Sequence, residues 1–150
     1  MRIVIQRVSR ASVAVGAETV SSIVRGMMVL VGVEKGDTAD DVKWLADKTA
    51  ALRIFPDEAG AMNRSVIDAG GEVLAVSQFT LTASTRKGNR PSYIRAAGHE
   101  LATELYDGYA ERLSVLLGRP VRKGVFGADM RIDMEADGPV TIIIDSRLRE

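Results

Sequence analysis

The chain opens on hydrophobic stretches separated by short polar breaks. Arg2–Val8 and Ala11–Val15 are rich in β-branched residues and are bounded by Ser and Gly. Both read as strands, with Ser9-Arg10 as a bend or bulge between them. Gly16-Ala17-Glu18 reads as a turn and Thr19–Val24 as another short strand. Met27–Val33 is a continuous apolar run, which suits a central strand covered on both faces. The period then lengthens. Asp37 predicts an N-cap, and Asp40 and Asp41 fall in the first turn, where the helix dipole favours acids. Val42, Leu45, Thr49 and Leu52 then mark one face of an amphipathic helix over Thr38–Arg53, and Pro56–Gly60 breaks it as a turn.

The second half repeats the change of period. Glu72–Ser77 reads as a strand opened by Gly70-Gly71, followed by a loop over Thr82–Pro91. Leu101, Leu105, Tyr109, Leu113 and Leu116 give the inner face of a helix over His99–Leu117, which Gly118 and Pro120 end. Val121–Val125, Met130–Glu135 and Val140–Asp145 read as strands, the last two joined as a hairpin through Ala136-Asp137-Gly138-Pro139. The order is strands, helix, strand, helix, strands. It is neither a βαβ repeat nor all-β. The expected class is mixed α/β with α+β character: a curved, mixed or antiparallel sheet system with two helices on one side. No repeat, low-complexity tract or linker interrupts it, and 150 residues fit one domain, 1–150.

Composition narrows the class. Hydrophobic content of 46% and charged content of 27% suit a globular protein. No apolar run approaches the roughly 20 residues of a membrane span, and Met1–Arg7 lacks the apolar stretch of a signal peptide. No membrane partner and a cytoplasmic location are expected. With no cysteine there is no disulfide framework, thiolate nucleophile or zinc ribbon. Net charge is zero, which argues against non-specific coating of nucleic acid. The charge is unevenly spread, however. Val73–His99 contains no acid, yet carries Arg86, Lys87, Arg90 and Arg95.

Three places could carry chemistry. The buried strand Val73–Val76 ends in Ser77-Gln78-Phe79-Thr80, whose side chains donate and accept hydrogen bonds and whose turning backbone can aim N–H groups at a developing oxyanion. A polar strand end facing water is the competing reading. Gly138-Pro139 is a common turn dipeptide and also the type of bond at which cis peptides occur. Thr85–Tyr93 gathers Arg86, Lys87, Arg90, a glycine, a proline and Tyr93 on one loop, which suits phosphate contact with some stacking. A solvated charged loop fits the same pattern. His99 is the only histidine and reads as an N-terminal helix residue. No Gly-x-Ser-x-Gly, Gly-x-Gly-x-x-Gly or P-loop is present. Asp129, Asp133, Glu135 and Asp137 read as a solvated strand face rather than a magnesium site. Neither metal nor cofactor is expected, and a hydrolase built on this chain works without an obvious protein base.

Several stretches together resemble the D-aminoacyl-tRNA deacylases over nearly the full length. They are Met1–Val8, Gly70–Leu74, Val76–Leu81, Arg86–Ser92, Gly124–Met130 and Asp137–Thr141. Each is weak alone, but their order and spacing are specific. The resemblance implies a homodimer with a three-layer α/β/β fold, curved barrel-like sheets and two main helices. It implies tRNA as the partner, and proofreading by hydrolysis of the ester between a D-amino acid, or mischarged glycine, and the terminal adenosine. Carried over residue by residue, Ser77, Gln78, Phe79 and Thr80 form one wall of the pocket. Gly138 and Pro139, joined by a cis peptide, enter from the partner subunit and exclude L-amino acids through their backbone. Arg7 braces that loop, and Arg86, Lys87 and Arg90 are the candidate tRNA contacts. Two mechanisms follow: direct attack by Thr80 to give an acyl-enzyme, or attack by water assisted by the ribose 2′-hydroxyl, with the Phe79 and Thr80 amides holding the oxyanion. The missing base favours the second. A non-catalytic tRNA-binding module and a generic esterase are the competing classes. Ala61 stands where the family has lysine, and Gly98-His99 replaces a proline-containing helix start; neither touches the expected pocket.

Overall fold

One long strand organises the molecule. The computed structural model describes residues 1–150. In chain order the elements are β1 (Arg2–Val15), β2 (Glu18–Ile23), β3 (Gly26–Gly32), α1 (Ala39–Ala51), β4 (Phe55–Pro56), β5 (Met62–Arg64), β6 (Glu72–Ser77), a 3-10 turn (Phe79–Thr82), α2 (His99–Leu117), β7 (Arg122–Lys123) and β8 (Met130–Asp145). The first half of β1 pairs antiparallel with β3 and its second half with β2, while its other edge carries β8 along its whole length. β6 lies parallel to β3, and β7 parallel to β6. Ser21 of β2 donates from Oγ to the Lys123 carbonyl of β7 at 2.5 Å, so the sheet curls nearly closed. No helix is long and apolar enough to cross a membrane.

The curl creates two cores and three layers. Ile3, Ile5, Met27, Val29, Val31, Val73 and Ala75 pack under the two helices against Leu45, Tyr109 and Leu113. Val8, Ala11, Val13, Ile23, Met28, Leu74 and Val76 fill the inside of the curl. Neighbouring residues of β3 and β6 alternate between these cores, which is why both strands read as unbroken apolar runs. In β1 strict alternation would put Ala11 and Val13 on the side of Ile3. Val8 pairs with Ala136 and Arg10 with Glu135, so Ser9 is an extra residue in β1. That bulge flips the phase and turns Ala11 and Val13 inward with Val8. The two helices lie on one side of the sheet, as expected.

Four expectations need correction. First, the Met130–Asp145 segment is one strand and not a hairpin. Both of its halves run antiparallel to the same edge of β1, and only Asp137–Val140 loops out, between the pairs Val8–Ala136 and Gln6–Thr141. A fold-back would forfeit half of this ladder. Pro139, which has no N–H to give, sits where no ladder bond is needed. Secondly, Thr38 caps α1, its amide donating to Asp41 Oδ2 at 2.8 Å. Asp37 is instead buried, accepting from the Met1 ammonium at 2.6 Å and from Arg147 at 2.8 Å. Thirdly, Leu116 is exposed, and Tyr106 and Ala110 take its place on the inner face of α2. Fourthly, only Arg122–Lys123 of the expected Val121–Val125 strand is paired.

Candidate active site at the end of the central strands

β6 ends level with β3. Ser77 pairs with Val31, and the Gln78 amide donates to the Val31 carbonyl at 2.7 Å. The chain then tightens into the 3-10 turn, closed by Leu81 N–H to the Gln78 carbonyl at 3.3 Å and by the buried Thr82 hydroxyl to the Phe79 carbonyl at 2.8 Å. Gly32 allows the turn to lie this close, since a Cβ there would sit 2.9 Å from Leu81 Cβ and 3.0 Å from the Gln78 carbonyl. At the start of such a turn the first amides have no internal acceptor. The N–H groups of Phe79 and Thr80 accordingly have no hydrogen-bond partner within the chain. Gln78 Nε2 donates to Thr80 Oγ1 at 2.5 Å. An amide N–H cannot take a proton, and no carboxylate or imidazole hydrogen-bonds to the Thr80 hydroxyl.

A cavity of about 300 Å³ opens beside this strand end. Ser77, Gln78 and Phe79 form one wall, Tyr106 of α2 the floor, and the Phe126–Met130 segment the facing wall. Burial pushes the Tyr106 phenol pKa well up, so it stays a neutral donor, bonding to the Ala75 carbonyl at 2.8 Å. Phe126 is held edge-on by the His99 ring, with centroids 5.1 Å apart. His99 is the first residue of α2 and supports this wall from behind. Sequence reading matched Gly124–Met130 to a family but did not see it as a wall; its only local mark is a glycine on either side of one aromatic residue. Thr80 faces the other way, into an open groove of about 1100 Å³ that runs to Ile142–Ile144.

The Asp137–Val140 bulge lies elsewhere. Its Gly138–Pro139 peptide is cis, and Gly138 has φ +126, a conformation that disfavours a side chain. The buried Arg7 spans the gap beneath it. Its Nη1 donates to the Ile54 carbonyl at 2.6 Å, and its Nε lies 3.2 Å from the Asp137 carbonyl and 3.1 Å from the Asp137 carboxylate. Gly138 and Pro139 are exposed and line neither depression. Ser77 is level with Ile3, whereas the bulge is level with Arg7 and lies three strands away. Strand rise and spacing put the two segments on the order of 20 Å apart along the sheet. One chain therefore does not bring them together.

The basic loop projects from the same side as the 3-10 turn. Ser84 and Ser92 exchange backbone hydrogen bonds of 2.8 and 2.9 Å, pinching off 85–91, and Arg86, Lys87 and Arg90 on it are exposed and make no ion pair. Arg95 does not join them: it donates to the Thr82 carbonyl at 3.2 Å and lies 3.5 Å from Glu34. Asp133 and Glu135 form an exposed row with Arg10, at 2.9 and 3.6 Å, while Asp137 turns away to Arg7. No three His, Asp or Glu side chains converge on a point that would hold a metal ion.

The family model described as D-Tyr-tRNA(Tyr) deacylase matches residues 4–145. A D-aminoacyl-tRNA deacylase of Parabacteroides distasonis is 55% identical over 150 residues, covering 100% of both chains. One of Chromobacterium violaceum is 57% identical over 147 residues, 98% of each. Among solved structures, the c-Myc DNA Unwinding Element Binding Protein superposes with a TM-score of 0.91 at 40% identity, over 97% of this chain and 98% of that one. A probable eukaryotic D-amino acid tRNA deacylase shares the fold, with a TM-score of 0.82 at 17% identity over 95% of this chain and 97% of its own. By its match along almost its whole length, this chain belongs to the D-Tyr-tRNA(Tyr) deacylase family.

Proposed function

We propose that the chain hydrolyses the ester between a D-amino acid and the terminal adenosine of tRNA, releasing free D-amino acid, and clears glycine from mischarged tRNA in the same way. One observation carries the reading: two adjacent unpartnered amides, Phe79 and Thr80, stand on a fixed turn between a mostly apolar cavity, which Phe79 lines, and the open groove that Thr80 lines. Such amides suit a developing oxyanion. The cavity, walled by Phe126 and floored by Tyr106, suits a nucleoside base.

Water is the nucleophile in this reading, because nothing beside Thr80 can take its proton; as water attacks, the ribose 2′-hydroxyl accepts its proton and passes its own to the departing ribose oxygen. Thr80 and Gln78 hold each other and so set the turn. Ser77 completes the wall. The substrate ammonium is held by the Gly138 and Pro139 carbonyls of a second copy, with Arg7 bracing the bulge. The wide separation of bulge and turn within one chain supports a homodimer with shared sites, and the groove past Thr80 offers room for the partner. With ammonium and ester carbonyl both fixed, a D side chain points to solvent and an L side chain meets the proline ring. Glycine escapes this exclusion. Arg86, Lys87 and Arg90 contact tRNA phosphates.

Single-turnover hydrolysis of D-Tyr-tRNA beside L-Tyr-tRNA tests the reading. The expected result is cleavage of the first alone. A binding module, the role named for the 40%-identical relative, cleaves neither, and a generic esterase cleaves both. Thr80→Ala is expected to keep activity within about tenfold, whereas a 2′-deoxy terminal adenosine abolishes it. A dead Thr80→Ala with an active deoxy substrate would move the nucleophile to Thr80.

A further inference from the structure

Two aromatic rings stand unusually open next to the cavity. Phe79 is 57% exposed and Tyr93 39%, with Ile94 beside them at 74%. The ring centroids lie 5.1 Å apart at 71°, so the pair forms an open corner rather than a closed stack. The backbone beneath is fixed. The Phe79 carbonyl accepts from Thr82, and the Tyr93 carbonyl accepts from Ala96 N–H at 2.9 Å. On the far side of Tyr93, the Ser84–Ser92 pinch anchors the loop. The rings are thus held outward by their frame at the cost of apolar surface left in water.

Their position names what covers them. Phe79 is at once the lip of the cavity and one ring of the pair. Tyr93 is where the chain returns from the loop bearing Arg86, Lys87 and Arg90. The pair therefore lies between the cavity and three unpaired cations, with no acid from Val73 to His99 to repel a polyanion. Open aromatic faces followed by cations are the recognition chemistry of single-stranded nucleic acid: bases stack while phosphates meet the charges. Deepening the deacylase reading, on which it rests, we infer that the Phe79–Tyr93 corner seats the unpaired nucleotide immediately before the terminal adenosine, and that the strand then passes to the Arg86–Arg90 loop. Every base has a stacking face, so this seat tolerates any base and reads single-strandedness.

Tyr93 offers the cleaner test, since Phe79 also supplies an amide to the proposed oxyanion site. The kcat/KM of Tyr93→Ala is compared on D-aminoacyl-tRNA and on D-aminoacyl-adenosine, which lacks the preceding nucleotide. On tRNA the variant is expected to fall roughly fivefold to a hundredfold, the loss typical of one stacking partner. On the adenosine ester the loss is expected to be at least fivefold smaller, and Tyr93→Phe restores the tRNA rate. Equal losses on both substrates would overturn the proposal. An independent readout uses deacylated tRNA with 2-aminopurine before the terminal adenosine. Wild-type protein quenches its fluorescence, and Tyr93→Ala does not; unchanged quenching in the variant overturns the seat. If Tyr93→Ala instead changes the oligomeric state in sedimentation, the corner is a protein contact and the proposal falls. A wild-type chain that cleaves neither substrate sinks the deacylase reading, while the quenching result still decides the seat.

Discussion

Gly32 shapes the candidate site without contributing a functional group to it. The chain passes so near that any Cβ would push on the Leu81 side chain and the Gln78 carbonyl, both part of the turn that presents the Phe79 and Thr80 amides. Neither neighbour is the free end of a flexible side chain, so the turn itself has to move. Displacing reacting groups by about 1 Å commonly costs on the order of a hundredfold in rate. Gly32→Ala is therefore expected to lower kcat/KM by about ten- to a hundredfold. Its loss of stability in urea is expected to be about 1–3 kcal/mol, typical of overpacking in a fold that survives. Equal activity in the folded variant would show that the turn's placement is not critical. Gly138 is demanding for a different reason, with positive φ and Arg7 Nη2 only 3.3 Å from where its Cβ would be.

The pairing of β1 with β8 frames the site's surroundings, and it is pinned at one end by Arg2 and Asp145. Arg2 reaches Asp145 Oδ2 from Nε at 3.0 Å and from Nη2 at 2.8 Å, and also donates to the Leu81 carbonyl at 3.0 Å. Burial opposes ionisation of Asp145, but the Arg147 amide and the Arg2 guanidinium outweigh it and hold the carboxyl below its ordinary pKa. A carboxylate with a depressed folded pKa stabilises the protein above its unfolded value, and that contribution disappears as pH falls. Asp145→Asn is expected to lose about 1–2 kcal/mol at pH 7. The gap to wild type then closes as the pH drops below about 4. A gap that stays constant down to pH 2 would contradict this origin. The Ser84–Ser92 loop makes its own prediction at this scale. Removing Arg86, Lys87 or Arg90 singly should reduce the salt slope of tRNA binding by about one each. An unchanged slope takes that residue out of the interface.

At the scale of the molecule, the separation between the turn and the Gly138–Pro139 bulge makes a shared site testable by mixing. A Gly32→Ala subunit damages the turn, and a Gly138–Pro139 deletion damages the bulge. Unfolding the two impaired proteins together and refolding them is expected to restore roughly a quarter of wild-type activity, above what either shows alone. Random pairing gives half mixed dimers, and each of these carries one intact site of two. No recovery, with mixed dimers verified by mass, would place both segments in one chain's site or remove the bulge from the chemistry.

The sequence by itself determined the elements whose patterns are local. The apolar runs of β3 and β6, the two helical faces and the Ser9 bulge were legible because side-chain period reports burial directly. The strand end Ser77–Phe79 was legible because polar groups abruptly close an apolar strand. The fate of Gly138-Pro139 was not. The dipeptide looks the same in a hairpin and in a bulge, and only the long free edge of β1 decided that both halves of β8 run along it. Asp37 was equally opaque: next to Thr38 it reads as a cap, and its partners, Met1 and Arg147, come from the two ends of the chain. The Phe126 wall, the cavity and the separation of the turn from the bulge exist only once the sheet curls. They depend on the spacing between distant strands, which no local pattern encodes.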